Sequence, residues 1–243
     1  LSEDDPISTP MTLLLFFFPV KISRMPMAKV YHGSMRALSW VLDALFPPRD
    51  TSLLIRRITD DMLAPRMAPV SFNDGTVTAL FSYRDPIVHA LIIETKYFGS
   101  TEAASLLGQQ FGEYLLEYLA DINAVEKRKI VLVPLPLSQK RKRARGYNQI
   151  EQILRVTAPL LQGEVSIESS VLTRTMNTAP QTQLTKVARK ENVAGAFTAD
   201  TPDPQHLYIV VDDVYTTGAT LTEALRTLKE AGALHVLGIT LAY

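Results

Sequence analysis

The sequence predicts an α/β protein built on a parallel sheet with helices on both faces. Two observations carry that expectation. Its strand-like stretches, "KIVLVPLP" (129–136) and "LYIVV" (207–211), are unbroken apolar runs rather than alternating ones, as strands buried on both faces require. Segments with apolar residues at helical spacing alternate with those runs, which is the pattern of βαβ units.

The 243 residues allow one such domain or a domain with a smaller appendage. Apolar residues make up 47% and charged residues 21%, which excludes the disordered class. Formal net charge is 0, so nucleic acid can be attracted only by a local basic patch. With 0 cysteines, disulfides, thiolate nucleophiles and cysteine-ligated zinc are excluded.

Residues 1–50 read as an irregular N-terminal extension and 51–243 as the main domain, the two prolines of "LFPPRD" (45–50) marking the boundary. The stretch "MTLLLFFFPV" (11–20) is the most hydrophobic of the chain. It falls short of the roughly 20 residues that span a bilayer. Glu3, Asp4 and Asp5 stand where a signal peptide carries basic residues. The expectation is a cytoplasmic protein without membrane contact, and either an extension or a start assigned too far upstream of Met11, Met25, Met27 or Met35.

Residues 71–84 predict a hairpin with Asp74-Gly75 at its turn. Asp85-Pro86 supplies the N-cap and first residue of a helix carrying Ile87, Val88, Leu91 and Ile92. A second helix over 101–119 bears Leu107, Phe111, Leu115 and Leu119 at intervals of four. Strand 130–134, a helix over 147–161 and a short strand at 169–174 follow. Residues 175–206 read as a flexible hood or loop with one helix at 186–193. Strand 207–211, helix 221–231, its stop at Gly232 and strand 235–241 complete the chain.

The chemistry concentrates where strand 207–211 stops. Asp212 and Asp213 repel each other there, and become useful where a diol donates to them or Mg²⁺ joins them. Thr216, Thr217 and Thr220 then offer hydroxyls, while Gly218 and Ala219 keep the backbone approachable. Amides opening the next helix would face a phosphate and add its dipole. Thr220 and Glu223 have capping-box spacing. The whole stretch suits a ribose 5-phosphate. Neither a Gly-Lys-Ser/Thr P-loop nor a GxGxxG is present, and Tyr215 stands where an Asp-x-Asp motif starting at Asp213 needs its second acid.

"YIVVDDVYTTGAT" (208–220) resembles the phosphoribosyl diphosphate (PRPP) motif of type I phosphoribosyltransferases. The resemblance implies that Asp212 and Asp213 hold the ribose hydroxyls with Mg²⁺, and that Thr216, Thr217, Gly218, Ala219 and Thr220 hold the 5-phosphate. "KRARGYNQ" (142–149) after "VPLP", "NTAPQTQLTKVARKENVAGAF" (177–197), "TKYFG" (95–99) and "LFPPR" (45–49) are similar to the ComF/GntX family, over residues 45–243. That family implies a type I phosphoribosyltransferase-like sheet with a small hood or N-terminal subdomain. It implies PRPP binding with Mg²⁺, and either phosphoribosyl transfer to an acceptor or a competence role. In the latter, the protein handles incoming single-stranded DNA with DNA-processing proteins, and its PRPP site is regulatory or vestigial. The family's four-cysteine zinc ribbon is missing: Asp50 follows "FPPR" directly, and no zinc site is expected.

In the phosphoribosyltransferase order, the loop of Leu135, Pro136 and Leu137 faces pyrophosphate, although its prolines lack an N–H. Lys140, Arg141, Lys142, Arg143 and Arg145 follow, read as cations at a helix start that oppose its dipole unless an anion binds. Pyrophosphate and a nucleic-acid backbone both qualify, and Arg145 has the geometry for a bidentate phosphate contact. Tyr147 reads equally as a base-stacking ring or a packed one, and Asn148 and Gln149 as helix caps. Arg174, Gln181, Arg189 and Asn192 are the candidates for a closing lid, and Lys96 reads either as a solvated helix end or as a cation reaching the pyrophosphate region. No side chain reads as a general base.

Overall fold

Eight strands form among residues 49–123, 128–161, 165–175 and 193–243, which the computed structural model describes. All belong to the compact unit Pro48–Tyr243. In chain order they are β1 (Met67–Phe72), β2 (Val77–Phe81), β3 (Ile130–Pro134), β4 (Val165–Ile167), β5 (Leu172–Arg174), β6 (Phe197–Ala199), β7 (Leu207–Val214) and β8 (His235–Ala242). Six of them make one sheet in the order β1-β2-β8-β7-β3-β4. Only β1 runs antiparallel to its neighbour, through the expected hairpin; every other pairing is parallel. β5 and β6 pair antiparallel as a separate two-stranded sheet.

The helices are α1 (Asp50–Ile55), α2 (Asp60–Leu63), α3 (Pro86–Phe98), α4 (Thr101–Asn123), α5 (Gln139–Arg145), α6 (Gln149–Thr157) and α7 (Ala219–Glu230). Asp85 caps α3 as its sequence requires, accepting from the amides of Ile87 at 2.8 Å and Val88 at 3.1 Å. Side-chain alternation along the strands builds two cores. Leu207, Ile209 and Val211 of β7 pack with Leu91, Phe111 and Ile153 of α3, α4 and α6. Tyr208 and Val210 pack instead with Leu221, Ala224 and Leu228 of α7 and with Leu172 and Phe197 of the small sheet.

Several expectations need correction. β7 continues to Val214, so both aspartates lie within the strand rather than after it. The helix expected over 147–161 runs only from Gln149, capped by Asn148, to Thr157, and a separate helix, α5, precedes it and ends at Gly146. Three cations, Lys142, Arg143 and Arg145, therefore stand in the last turn of α5, where its dipole favours them. The capping box also fails. Gly218 is the N-cap of α7 with no side-chain cap bond, and Glu223 is engaged elsewhere. The expected helix at 186–193 falls almost wholly outside the described residues.

Candidate functional site

Strand order places the site. β3 leads through α6 to β4 on one side, while β7, on the other flank of β3, leads through α7 to β8. Adjacent strands whose connections depart in opposite directions leave a crevice at their carboxyl ends, the usual ligand position of an open α/β sheet. Here a cavity of about 430 Å³ opens at that point. The loop after β3, the loop after β7, the end of α3 and Arg174 of β5 line it.

Asp212 and Asp213 both line the cavity, but their side chains leave the strand on opposite faces. Neighbours on a strand face opposite ways, and Asp213 continues the row of Leu207, Ile209 and Val211 toward α3 and α6. There it is 8% exposed. Lys96 Nζ of α3 lies 2.9 Å from Asp213 Oδ2. Gln149 Nε2 of α6 donates to the same oxygen at 2.7 Å, and Arg145 donates to Gln149 Oε1 at 3.0 Å. Burial pulls the Lys96 ammonium down, but the charge of Asp213, its hydrogen bond and the charge of Asp212 outweigh burial and leave it raised.

Asp212 lines the same cavity from the other row. Its Oδ1 accepts from the amide of Asp213 at 2.8 Å. It makes no ion pair among the described residues. Burial, then the charge of Asp213, pushes its carboxyl up to about 7, against the pull of Lys96 and Arg141. A carboxyl so placed favours any ligand that brings a cation or hydroxyl donors.

The loop after β7 is shaped by Tyr215 and Gly218. Tyr215 donates its amide to Ala242 O at 2.7 Å and stacks on Phe72 of β1, ring centroids 4.2 Å apart. Gly218 has φ +70, and a Cβ there would lie 2.3 Å from the Tyr215 hydroxyl. Only glycine satisfies both constraints. The first amides of α7 thus open onto the cavity with Thr216, Thr217, Ala219 and Thr220 around them.

Across the crevice, Leu135, Pro136 and Leu137 also line the cavity. The Leu135 amide is spent on Val211 O at 2.9 Å, so it adds nothing to an anion cradle. Arg141 and Arg145 reach the cavity from α5. Arg174 is a buried strand residue, 7% exposed, rather than a loop residue. Burial and the charge of Arg141 draw its guanidinium downward, and Asp212 opposes them. Gln181, Arg189 and Asn192 lie outside the described residues.

Two residues gain roles that the sequence reading missed. Lys96 is no solvated helix end; it holds Asp213, and its spacing of four from Val88 and Ile92 already marked the buried stripe of α3. Gln149 is no cap, and its spacing of four from Ile153 put it on the core face of α6. Tyr147 packs: its hydroxyl donates to Thr95 O at 3.1 Å, and its ring lies where a Gly99 Cβ would stand, 3.3 Å away. Among the described residues no cluster of three or more His, Cys, Asp or Glu could hold a metal by itself.

No family model matches the chain. Curated relatives do. The chain is 33% identical over 152 residues to the DNA utilization protein YhgH of Escherichia coli (strain K12), covering 62% of this chain and 65% of that one. Competence protein F of Haemophilus influenzae is 29% identical over 128 residues, 50% of this chain and 55% of that one. Competence protein ComFC of Bacillus subtilis (strain 168) is 28% identical over 194 residues, 79% and 70% of the two chains. These relatives support the ComF resemblance. The chain spans just under two thirds of YhgH, and the names of the ComF-type relatives speak of DNA use and competence. No helix among the described residues is long and apolar enough to cross a membrane.

Proposed function

We propose that this chain is a ComF-type protein of DNA use whose crevice binds PRPP with Mg²⁺. The observation that carries the pocket reading is that Asp212 and the Gly218-capped start of α7 line one cavity of about 430 Å³. Asp212 accepts from the ribose hydroxyls. The amides and hydroxyls of Thr216 to Thr220 receive the 5-phosphate, and Arg141, Arg145 and Arg174 face the diphosphate. Asp213 orients: locked by Lys96 and Gln149, it fixes the backbone from which Asp212 projects.

The donor set suits Mg²⁺, which takes oxygen ligands from one or two carboxylates and fills the rest with substrate phosphate and water. When bound, the ion neutralises the diphosphate and polarises it as a leaving group. The names of the relatives support the DNA-use reading, in which single-stranded DNA and DNA-processing proteins are the partners and the pocket serves regulation or is a remnant. Phosphoribosyl transfer to an acceptor is the second reading, favoured by the cations gathered where pyrophosphate would leave.

Calorimetric titration of PRPP with Mg²⁺ into wild type and an Asp212→Asn/Asp213→Asn variant tests the pocket. Binding to wild type and its loss in the variant are expected; a wild type that does not bind ends the PRPP reading. Pyrophosphate release with any of a panel of nucleobases would establish transfer. Binding without release supports a regulatory pocket. For DNA, replacing Arg141, Lys142 and Arg143 by alanine should abolish salt-dependent single-strand binding, and unchanged binding refutes the patch.

A further inference from the structure

Tyr97 is the most exposed aromatic ring among the described residues, 58% accessible, and it lines the rim of the crevice. A large ring at the end of a helix, outside either core, gains little by burial where it stands. Beside it runs α5, whose sequence QKRKRAR holds Lys140, Arg141, Lys142, Arg143 and Arg145. None of these five pairs with a carboxylate among the described residues. In a chain of formal net charge 0, that is a sharply local positive field. Arg145 joins the two features: its guanidinium lies 5.4 Å from the Tyr97 ring centre. A cationic track with an exposed aromatic ring is what a single strand needs, phosphates on the cations and a base on the ring.

Arg145 has a second task. It donates to Gln149, which holds Asp213, and it lines the crevice with Arg141. The same guanidinium therefore faces both the crevice and the Tyr97 track.

Resting on the PRPP reading above, we infer that Tyr97 and α5 form a single-stranded DNA site sharing Arg141 and Arg145 with the crevice, so that PRPP and the strand exclude each other. A diphosphate in the crevice takes both arginines from the strand and sets negative charge beside its phosphates. By linkage, a strand on the track weakens PRPP binding by the same factor.

Fluorescence anisotropy of the full chain with a labelled deoxythymidine oligomer of about 15 nucleotides tests this. Tyr97→Ala should weaken the oligomer by about tenfold, from the loss of one stacked base, while Tyr97→Phe retains the ring and the affinity. An unchanged affinity in Tyr97→Ala overturns the stacking site. Saturating PRPP with Mg²⁺ should lower the oligomer affinity of wild type by about tenfold or more, at an ionic strength matched with sodium chloride. PRPP that binds with oligomer affinity unchanged overturns the exclusion and leaves the pocket reading intact. PRPP that does not bind at all overturns both. Polyglutamate of equal charge binding as tightly as the oligomer would mark a surface for acidic peptides and overturn the strand.

Discussion

Asp212 is where the chemistry of a single residue is most exposed to test. Its carboxyl is raised from 3.8 to about 7 by burial and by Asp213, so the folded chain holds a proton that the unfolded chain would release. Stability is thus fully present below the unfolded value and declines as pH rises through about 7. Mg²⁺ or ribose hydroxyls need the deprotonated form, and binding must expel that proton. PRPP with Mg²⁺ is expected to bind more tightly as pH rises through about 7. It should release a proton near neutrality, measured by titration calorimetry in two buffers of different ionisation enthalpy. Asp212→Asn should abolish the release; equal heats in both buffers with wild type would refute this account. Glu94 shows the opposite case. Burial raises it, yet the bonds from Arg49 at 3.0 and 2.9 Å and from Thr51 at 2.5 Å prevail and hold it below the usual carboxylate range. Its contribution is present at neutral pH and lost on acidification.

Elements with one dominant signal were legible in the sequence, and those decided by tertiary contacts were not. The Asp85-Pro86 start of α3 and the apolar runs of β3 and β7 carry local chemistry strong enough to read directly. β4, of three half-buried residues, exists because β3 offers it an edge, and nothing in its own composition announces that. The division of α5 from α6 turns on Gly146 with φ +78, a single left-handed residue between two short helices. The capping box misled because Glu223 has better partners: it accepts from the Gly195 amide at 2.5 Å and from Arg226 at 2.7 and 2.9 Å. Glu223 thereby ties α7 to the turn that precedes β6. Glu223→Ala should raise amide exchange at Gly195 and along β6 while sparing β7 and β8, and uniform protection would refute the tie. Gly218→Ala adds a left-handed residue and a clash with Tyr215. A loss of about 1–2 kcal/mol in urea unfolding, together with lost PRPP binding, is expected.

Across the whole molecule, the crevice exists because α6 and α7 leave adjacent strands toward opposite cores, and every residue of the site hangs on that switch. The acid pair was visible in the sequence; that β7 runs on through it, and that Asp213 is the buried, paired member, was not. The two should part in stability measurements. Asp213→Asn strands the Lys96 ammonium beneath the crevice and should cost about 1–3 kcal/mol. Asp212→Asn should be neutral near pH 3 and increasingly stabilising from there to pH 8, and urea titrations across that range would expose a reversed order. The same asymmetry would leave a trace in descent. A lineage that no longer fills the crevice is relieved of a burden when it loses Asp212, whereas losing Asp213 harms the fold whether or not a ligand is ever met. Disuse would therefore erase the first aspartate and spare the second.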